Sequence, residues 1–307
     1  MTPRFLSVFS AALVLTQGLL LAAPRAEHVF VVSLDGAKPA VIKESEMPVI
    51  NRLASEGACT WEASTIVPPK TLPSHTSMLT GVGPDKHQIL WNDFSPIRGL
   101  VKVPTIFSLL RAKEPDAVAA MFVGKVKFRH LWLKDSLNVF NYGGEQSPAP
   151  VAGTPELEKS KIPSQAVAKQ AAPWIVEHKP RLAFIHLTDA DSAGHASGWG
   201  SPEQKEALKV TDQALGQVIK AIKDAGIADS SVVIVTADHG GHDKTHGENI
   251  PDDMHIPWLA WGKGVKQDFT LTQPVTTYDT AATALWLLDV PLPAEFDGKP
   301  VTSAFAE

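Results

Sequence analysis

Asp35, Asp191, His195, Asp238, His239 and His246 are carboxylates and imidazoles, and they fall into short stretches together with one isolated hydroxyl, Thr71. Asp35 follows the apolar run His28–Leu34, and Thr71 stands in Lys70-Thr71-Leu72-Pro73-Ser74-His75. Asp191 and His195 are four residues apart in Asp191-Ser192-Ala193-Gly194-His195. Asp238 and His239 follow the run Ser231–Thr236, and His246 comes in Thr245-His246-Gly247. Carboxylate and imidazole hold zinc-like divalent ions where no cysteine is offered. The number of such groups suits two ions rather than one, and two ions beside a hydroxyl suggest phosphoryl transfer.

Something must bring these stretches together. Apolar, β-branched runs at 28–34, 117–123, 181–187, 231–236 and 256–261 read as strands. Helical spacing occupies 37–44, 48–56, 105–113, 125–132, 164–177, 202–225 and 277–288, and Leu208, Leu215, Val218, Ile219 and Ile222 form the apolar stripe of the long 202–225 segment. Strand and helix in alternation predict an α/β fold with a mostly parallel central sheet and helices on both faces. Ligands in such sheets gather at the carboxyl ends of strands, which is where Asp35, Asp191, His195, Asp238 and His239 fall. The stretches 95–104 and 141–163 read as loops or a small insertion.

Local sequence leaves some roles open. Thr71 opens a short helix, where unpaired N–H groups and the positive dipole end suit an alkoxide and a phosphoryl group. The same position also suits an ordinary N-cap threonine. Asp191 and His195 bracket a Ser-Ala-Gly turn and reach one ion if that loop curls. Glycines after Asp238-His239 allow a tight backbone. His242, Asp243 and His255 are spare polar residues nearby, read as supporting or surface groups.

The chain of 307 residues is 44% apolar with a net charge of −5, which supports a large core and gives no basic footprint for nucleic acid. Residues 1–26 carry Arg4, an apolar stretch and a small-residue end, the layout of a secretory leader cleaved near Ala26. An uncleaved anchor is the alternative, since the apolar stretch approaches the ~17 residues needed to span a bilayer. Residues 27–307 then form one domain, periplasmic or secreted and free of the membrane once the leader is removed. The lone Cys59 excludes an internal disulfide and reads as a small core residue.

Taken in order, Ser33-Leu34-Asp35-Gly36, Lys70 to His75, Asp191 to His195, Thr236-Ala237-Asp238-His239-Gly240 and His246-Gly247 resemble the nucleotide pyrophosphatase/phosphodiesterase family of the alkaline phosphatase superfamily. The resemblance implies an alkaline phosphatase-like fold and two zinc ions, although the ligand set also admits another divalent transition metal. One ion would lie on Asp191, His195 and His246, the other on Asp35, Asp238 and His239. Thr71 would be the nucleophile, ligating the second ion and forming a phosphothreonine, and Asn92 would hydrogen-bond a phosphoryl oxygen. The substrate would be a small phosphate ester or nucleotide. Lys125-Val126-Lys127 is similar to a lysine pair of the related phosphonoacetate hydrolases, which bind a substrate carboxylate or phosphonate; a solvated helix start is the other reading. A phosphomonoesterase or phosphonate hydrolase is thus the alternative activity, and a non-catalytic, exported zinc-binding protein is the rival from another class.

Overall fold

A computed structural model describes residues 25–143, 145–146 and 161–306; most of the expected leader lies outside them. Nine strands form one sheet in the order β5-β4-β3-β6-β1-β7-β8-β2-β9. They are β1 His28–Leu34, β2 Ala58–Ser64, β3 Ala119–Val123, β4 Val139–Tyr142, β5 Glu145–Gln146, β6 Leu182–Leu187, β7 Ser231–Thr236, β8 His255–Gly262 and β9 Phe269–Thr270. The centre is parallel: β3 pairs with β4 and β6, and β1 with β6 and β7. β8 runs antiparallel to both β7 and β2.

Strands β6 and β7 are buried along their whole length and β1 over all but its first residue, which is why they read as unbroken apolar runs rather than alternating ones. Two helical groups cover the sheet. Helices Pro39–Lys43, Pro48–Ser55, Ser164–His178 and Asp189–Ser197 pack with the long helix Pro202–Asp224, whose stripe Leu208, Leu215, Val218, Ile219 and Ile222 is buried. Helix Asp279–Leu287 packs with Thr71–Thr80, Ile106–Lys113 and β1. The start of helix Pro48–Ser55 is fixed by buried Asp212, whose two carboxylate oxygens accept from the Val49 and Ile50 amides, both at 2.9 Å.

Two local expectations change. Asp191 and His195 stand on the helix Asp189–Ser197 rather than on a curled turn, so their i,i+4 spacing puts both on one helical face. The expected helix at 125–132 is a 3₁₀ segment, Val126–Leu131, and Lys125 before it is buried rather than solvated. The strand that ends before Pro68-Pro69-Lys70 is β2, whose bounds the sequence leaves open because Ala58–Ser64 mixes Cys, Thr, Trp, Glu and Ser and has no apolar run.

Strand ends account for the gathering of the candidate residues. Lys125, Asp191, Asp35 and Asp238 follow β3, β6, β1 and β7, four neighbours in the sheet, at their common carboxyl edge. β2 shares that direction through β8, so the chain leaves it towards Thr71, and the segment carrying His246 returns into β8 at the same edge.

Candidate metal and phosphoryl site

Asp35, Thr71, Asp191, Asp238 and His239 are all 0–1% exposed. Ligand atoms of Asp191, His239 and His246 lie within 4.8 Å of one another, and so do those of Asp35, Asp238 and His239. His239 therefore faces both groups. His195 stands beside the first, its Nε2 3.2 Å from Asp191 Oδ1, and His246 Nε2 is 3.7 Å from the same oxygen.

The imidazoles share one arrangement. His195, His239 and His246 each donate Nδ1–H to a backbone carbonyl, of Lys244, Gly240 and Pro69 at 3.0, 2.8 and 2.9 Å. That fixes the tautomer and leaves each Nε2 lone pair turned towards the carboxylates, the pattern of metal-ligating histidines. Burial pushes the imidazoles of His239 and His246 down, His246 to about 3, so both are neutral and able to ligate.

Each carboxylate divides its oxygens. Asp35 Oδ2 accepts from His186 Nε2 at 2.6 Å and pairs with Lys125 Nζ at 2.7 Å, and Asp191 Oδ2 accepts from Lys125 at 2.8 Å and Lys161 at 3.1 Å. Asp238 Oδ1 accepts from the Gly36 amide at 3.0 Å. The opposite oxygens, Asp35 Oδ1, Asp191 Oδ1 and Asp238 Oδ2, have no hydrogen-bond partner, and neither has His239 Nε2. Buried acceptors of this kind are costly unless something positive meets them. Four such atoms converging, backed by neutral imidazoles of fixed tautomer, fit two divalent ions.

Charge is unevenly spread over the acids. Burial pushes the Asp35 and Asp191 carboxyls up, but the Lys125 ammonium, joined by His186 at Asp35 and by His195 and Lys161 at Asp191, outweighs it and holds both well below the usual range. Asp238 has no lysine against it; burial and then the charge of Asp35 push its carboxyl well above the usual value.

Thr71 is the first residue of its helix, after Lys70, which makes no side-chain cap. The hydroxyl is not used as a cap; Lys125 Nζ donates to Thr71 Oγ at 3.2 Å. Asn92 Oδ1 accepts from the Leu72 amide at 2.9 Å and from Lys127 Nζ at 3.2 Å, so its amide NH2 is the end left to donate towards a ligand beside Thr71. Thus Asn92 and Lys125 both touch the start of the Thr71 helix, and Lys127 reaches Asn92.

His75, His186 and Lys161 escaped the sequence reading. His75 donates Nδ1–H to the Thr71 carbonyl at 2.7 Å and accepts from Ser33 Oγ at 2.7 Å, tying the helix of Thr71 to β1. His186 Nδ1 accepts from the Gly124 amide at 3.3 Å, which leaves its Nε2–H for Asp35. A histidine inside the otherwise apolar strand Leu182–Leu187 was the available signal for that role. The pair His242 and Asp253 packs behind the loop of His246, and His255 is half-buried at the start of β8.

The sheet, its covering helices and the acidic-imidazole edge define an alkaline phosphatase-like hydrolase fold. Murine ectonucleotide pyrophosphatase/phosphodiesterase 5 superposes with a TM-score of 0.72 at 17% identity, covering 91% of this chain and 100% of that one. A 2-O GAG sulfatase shares the fold at a TM-score of 0.66 and 15% identity, covering 91% and 74%. Residues 29–257 match the model of the type I phosphodiesterase/nucleotide pyrophosphatase family, and the chain belongs to that family of phosphate-ester hydrolases. Ectonucleotide pyrophosphatase/phosphodiesterase family member 1 of Mus musculus is 27% identical over 212 residues, 63% of this chain and 21% of its own. Venom phosphodiesterase of Macrovipera lebetinus is 25% identical over 217 residues, 68% of this chain and 25% of its own. This chain thus spans about a fifth to a quarter of those relatives' length.

Proposed function

We propose that this protein is an exported, two-metal phosphodiesterase that cleaves nucleotide-type phosphodiester or pyrophosphate linkages through a phosphothreonine on Thr71. The observation that carries the reading is the position of Lys125, which touches Asp35, Asp191 and the Thr71 hydroxyl at 2.7, 2.8 and 3.2 Å. It joins the hydroxyl to the very carboxylates whose other oxygens lack partners.

In the first step Thr71 Oγ forms a bond to phosphorus as the bond to the leaving oxygen breaks, and the hydroxyl proton passes to solvent. Lys125 does not take that proton: burial opposes its charge, but Asp191, Asp35 and Asp238 outweigh it and keep the amine an ammonium. Its role is to stabilise the Thr71 alkoxide and an adjoining phosphoryl oxygen. Asn92 donates its amide NH2 to another phosphoryl oxygen. In the second step water attacks phosphorus, and Thr71 Oγ leaves and regains a proton. Two divalent ions, zinc by preference, held by Asp191, His195 and His246 and by Asp35, Asp238 and His239, supply Lewis-acid charge when bound.

A second reading is favoured by one observation. Lys161 Nζ lies 3.1 Å from Asp191 Oδ2 and Lys127 Nζ 3.2 Å from Asn92 Oδ1, so three ammonium groups border the phosphoryl position. A substrate with a second negative charge, a monoester or a phosphonate, would meet them better than a diester. Comparing kcat/KM for bis-(4-nitrophenyl) phosphate and 4-nitrophenyl phosphate on the zinc-loaded protein separates the two. Preference for the diester supports the phosphodiesterase; preference for the monoester gives the site to the second reading.

Export rests on the sequence of residues 1–26 and on relatives whose names mark them as ecto- or venom enzymes. Among the described residues no helix is long and apolar enough to cross a membrane.

A further inference from the structure

Asp253 is completely buried in the helical turn Pro251–Met254, just before β8, and it touches none of the candidate ligands. Its contacts nevertheless bracket the whole segment that carries two of them. Asp253 Oδ2 accepts from the amides of Gly247 and Glu248 at 2.7 and 2.8 Å, immediately after His246. Its backbone carbonyl accepts from the Gly240 amide at 2.8 Å, immediately after His239, and the neighbouring Asp252 carbonyl accepts from Gly241 at 2.8 Å. Its remaining oxygen, Oδ1, accepts from His242 Nδ1 at 2.8 Å. One residue therefore ties both ends of the 240–248 loop.

The surroundings leave this loop little other choice. A Cβ at Gly240 would lie 2.1 Å from the Asp252 carbonyl oxygen, and one at Gly241 2.2 Å from the Trp199 indole, so the chain here rests directly on its neighbours. Gly247 holds φ +119, with Lys70 Cε 2.8 Å from where its Cβ would be. From that anchored loop His246 reaches Pro69 O with Nδ1 and stacks on His239 with ring centroids 3.6 Å apart and planes within 11°. Stacking at that distance is kept only if both backbones are fixed against each other.

We infer that Asp253 is a positioning residue, which sets the His246 imidazole against His239 and Asp191 before any ion arrives and so determines the affinity of one metal position of two. The inference rests on the two-metal reading above. It predicts an asymmetric effect. The Asp253 carboxylate holds the His246 end of the loop, whereas the His239 end bonds its backbone carbonyl, which a side-chain substitution keeps, so the position shared by Asp35, Asp238 and His239 is spared. The outer partners of metal ligands typically account for about 10–100-fold in affinity.

The test is zinc titration of the metal-free protein against a chromophoric chelator, with no substrate present. Wild-type protein should take up two equivalents. Asp253→Asn replaces one carboxylate oxygen by an NH2 group that cannot accept, and should keep one equivalent at wild-type affinity while the second weakens at least about tenfold. Asp253→Glu, which keeps two acceptor oxygens, should recover part of that loss. Two equivalents at wild-type affinity in Asp253→Asn would overturn the inference, and so would equal weakening of both positions. Amide hydrogen exchange of metal-free wild-type protein gives a check that needs no variant. The Gly247 and Glu248 amides should be protected without zinc; free exchange there would overturn it equally. Binding of two zinc ions by a wild-type protein that hydrolyses neither nitrophenyl ester would sink the proposed activity and leave this assignment standing.

Discussion

Lys125 holds its ammonium 3.2 Å from the hydroxyl of Thr71 and at the same time closes the gap between Asp35 and Asp191, one at 2.7 Å and the other at 2.8 Å. A single buried cation thus stabilises two buried carboxylates and touches the candidate nucleophile. Removing one partner of a buried pair while the others stay charged typically costs about 3–5 kcal/mol. Lys125→Met should therefore destabilise the metal-free protein by roughly that amount, with much of the loss recovered by zinc, which supplies other positive charge to the same acids. Urea denaturation with and without zinc measures both numbers. Hydrolysis should fall at least about tenfold even with zinc bound, because the alkoxide loses a donor. An unchanged rate in that variant would remove Lys125 from the chemistry.

Thr71→Ala separates an enzyme from a protein that only holds zinc. The hydroxyl caps no helix amide, and its one hydrogen bond of note comes from Lys125, so the alanine variant should fold and keep most of its zinc. Hydrolysis of either nitrophenyl ester should drop by at least about a thousandfold, since the covalent step has no other hydroxyl to use. Thr71→Ser should retain measurable turnover and accumulate a phosphorylated protein on acid quench. Near-normal turnover by the alanine variant sinks the nucleophile assignment.

What could be read beforehand follows a physical divide. Strands β1, β6 and β7 are buried between helical layers and announce themselves as apolar runs; β2 lies towards one side of the sheet, mixes polar with apolar residues, and gives no such signal. Asp35, Asp191, Asp238 and His239 were legible because each follows a readable strand, and a strand end has a known place in such a sheet. Lys125 was balanced between solvent and site. No local pattern distinguishes a lysine that opens a surface helix from one drawn inwards by acids more than sixty residues later and ninety earlier in the chain. Lys161 and Asp253 were missed for the same reason, since their partners are brought to them by tertiary packing alone; His186 differs in carrying a local signal, a histidine inside an apolar strand.

Gly36 follows directly on the candidate ligand Asp35, and its backbone is held at φ +69, where side chains are strained. A Cβ there would stand 3.0 Å from the Asp191 Cα, and its amide already donates to Asp238 Oδ1 at 3.0 Å while its carbonyl accepts from Trp199 Nε1 at 2.9 Å. Gly36→Ala must push Asp35, Asp191 and Asp238 apart or twist the turn. It should cost about 1–3 kcal/mol of stability and weaken both zinc positions, read by thermal denaturation and by the same chelator titration.

Lys127 gives the site a dependence on alkaline pH. Burial, and after it the neighbouring Lys125 charge, push its amine down from 10.5 to about 8. The charged form is therefore present below about 8 and lost as pH rises through that value. If a second substrate charge sits on this ammonium, KM for 4-nitrophenyl phosphate should rise above that pH while KM for the diester changes less. Lys127→Met should raise KM for the monoester at neutral pH and flatten the alkaline limb. A wild-type limb that persists in the variant belongs to some other group.

His87 makes a separate, structural prediction at acid pH, away from the candidate ligands. Burial pushes its imidazole down from 6.5 to about 4, with Asp85 opposing weakly. Its Nδ1 accepts from the Ile89 amide at 3.0 Å, so it is the neutral tautomer whose Nε2–H donates to Ser77 Oγ at 3.0 Å. In the unfolded chain the ring has its ordinary value, so between about 6.5 and 4 the unfolded state binds a proton that the folded state refuses. The stability contributed by this neutral ring is complete above 6.5, is lost progressively as pH falls to about 4, and changes no further below it. The slope over that window should approach one proton, ~1.4 kcal/mol per pH unit. His87→Gln cannot titrate; it should be less stable than wild type at pH 7 and should close most of that gap by pH 4.5. Urea denaturation of metal-free protein at the two pH values reads the difference directly, and a gap that stays constant with pH would show that His87 carries its proton in the folded protein.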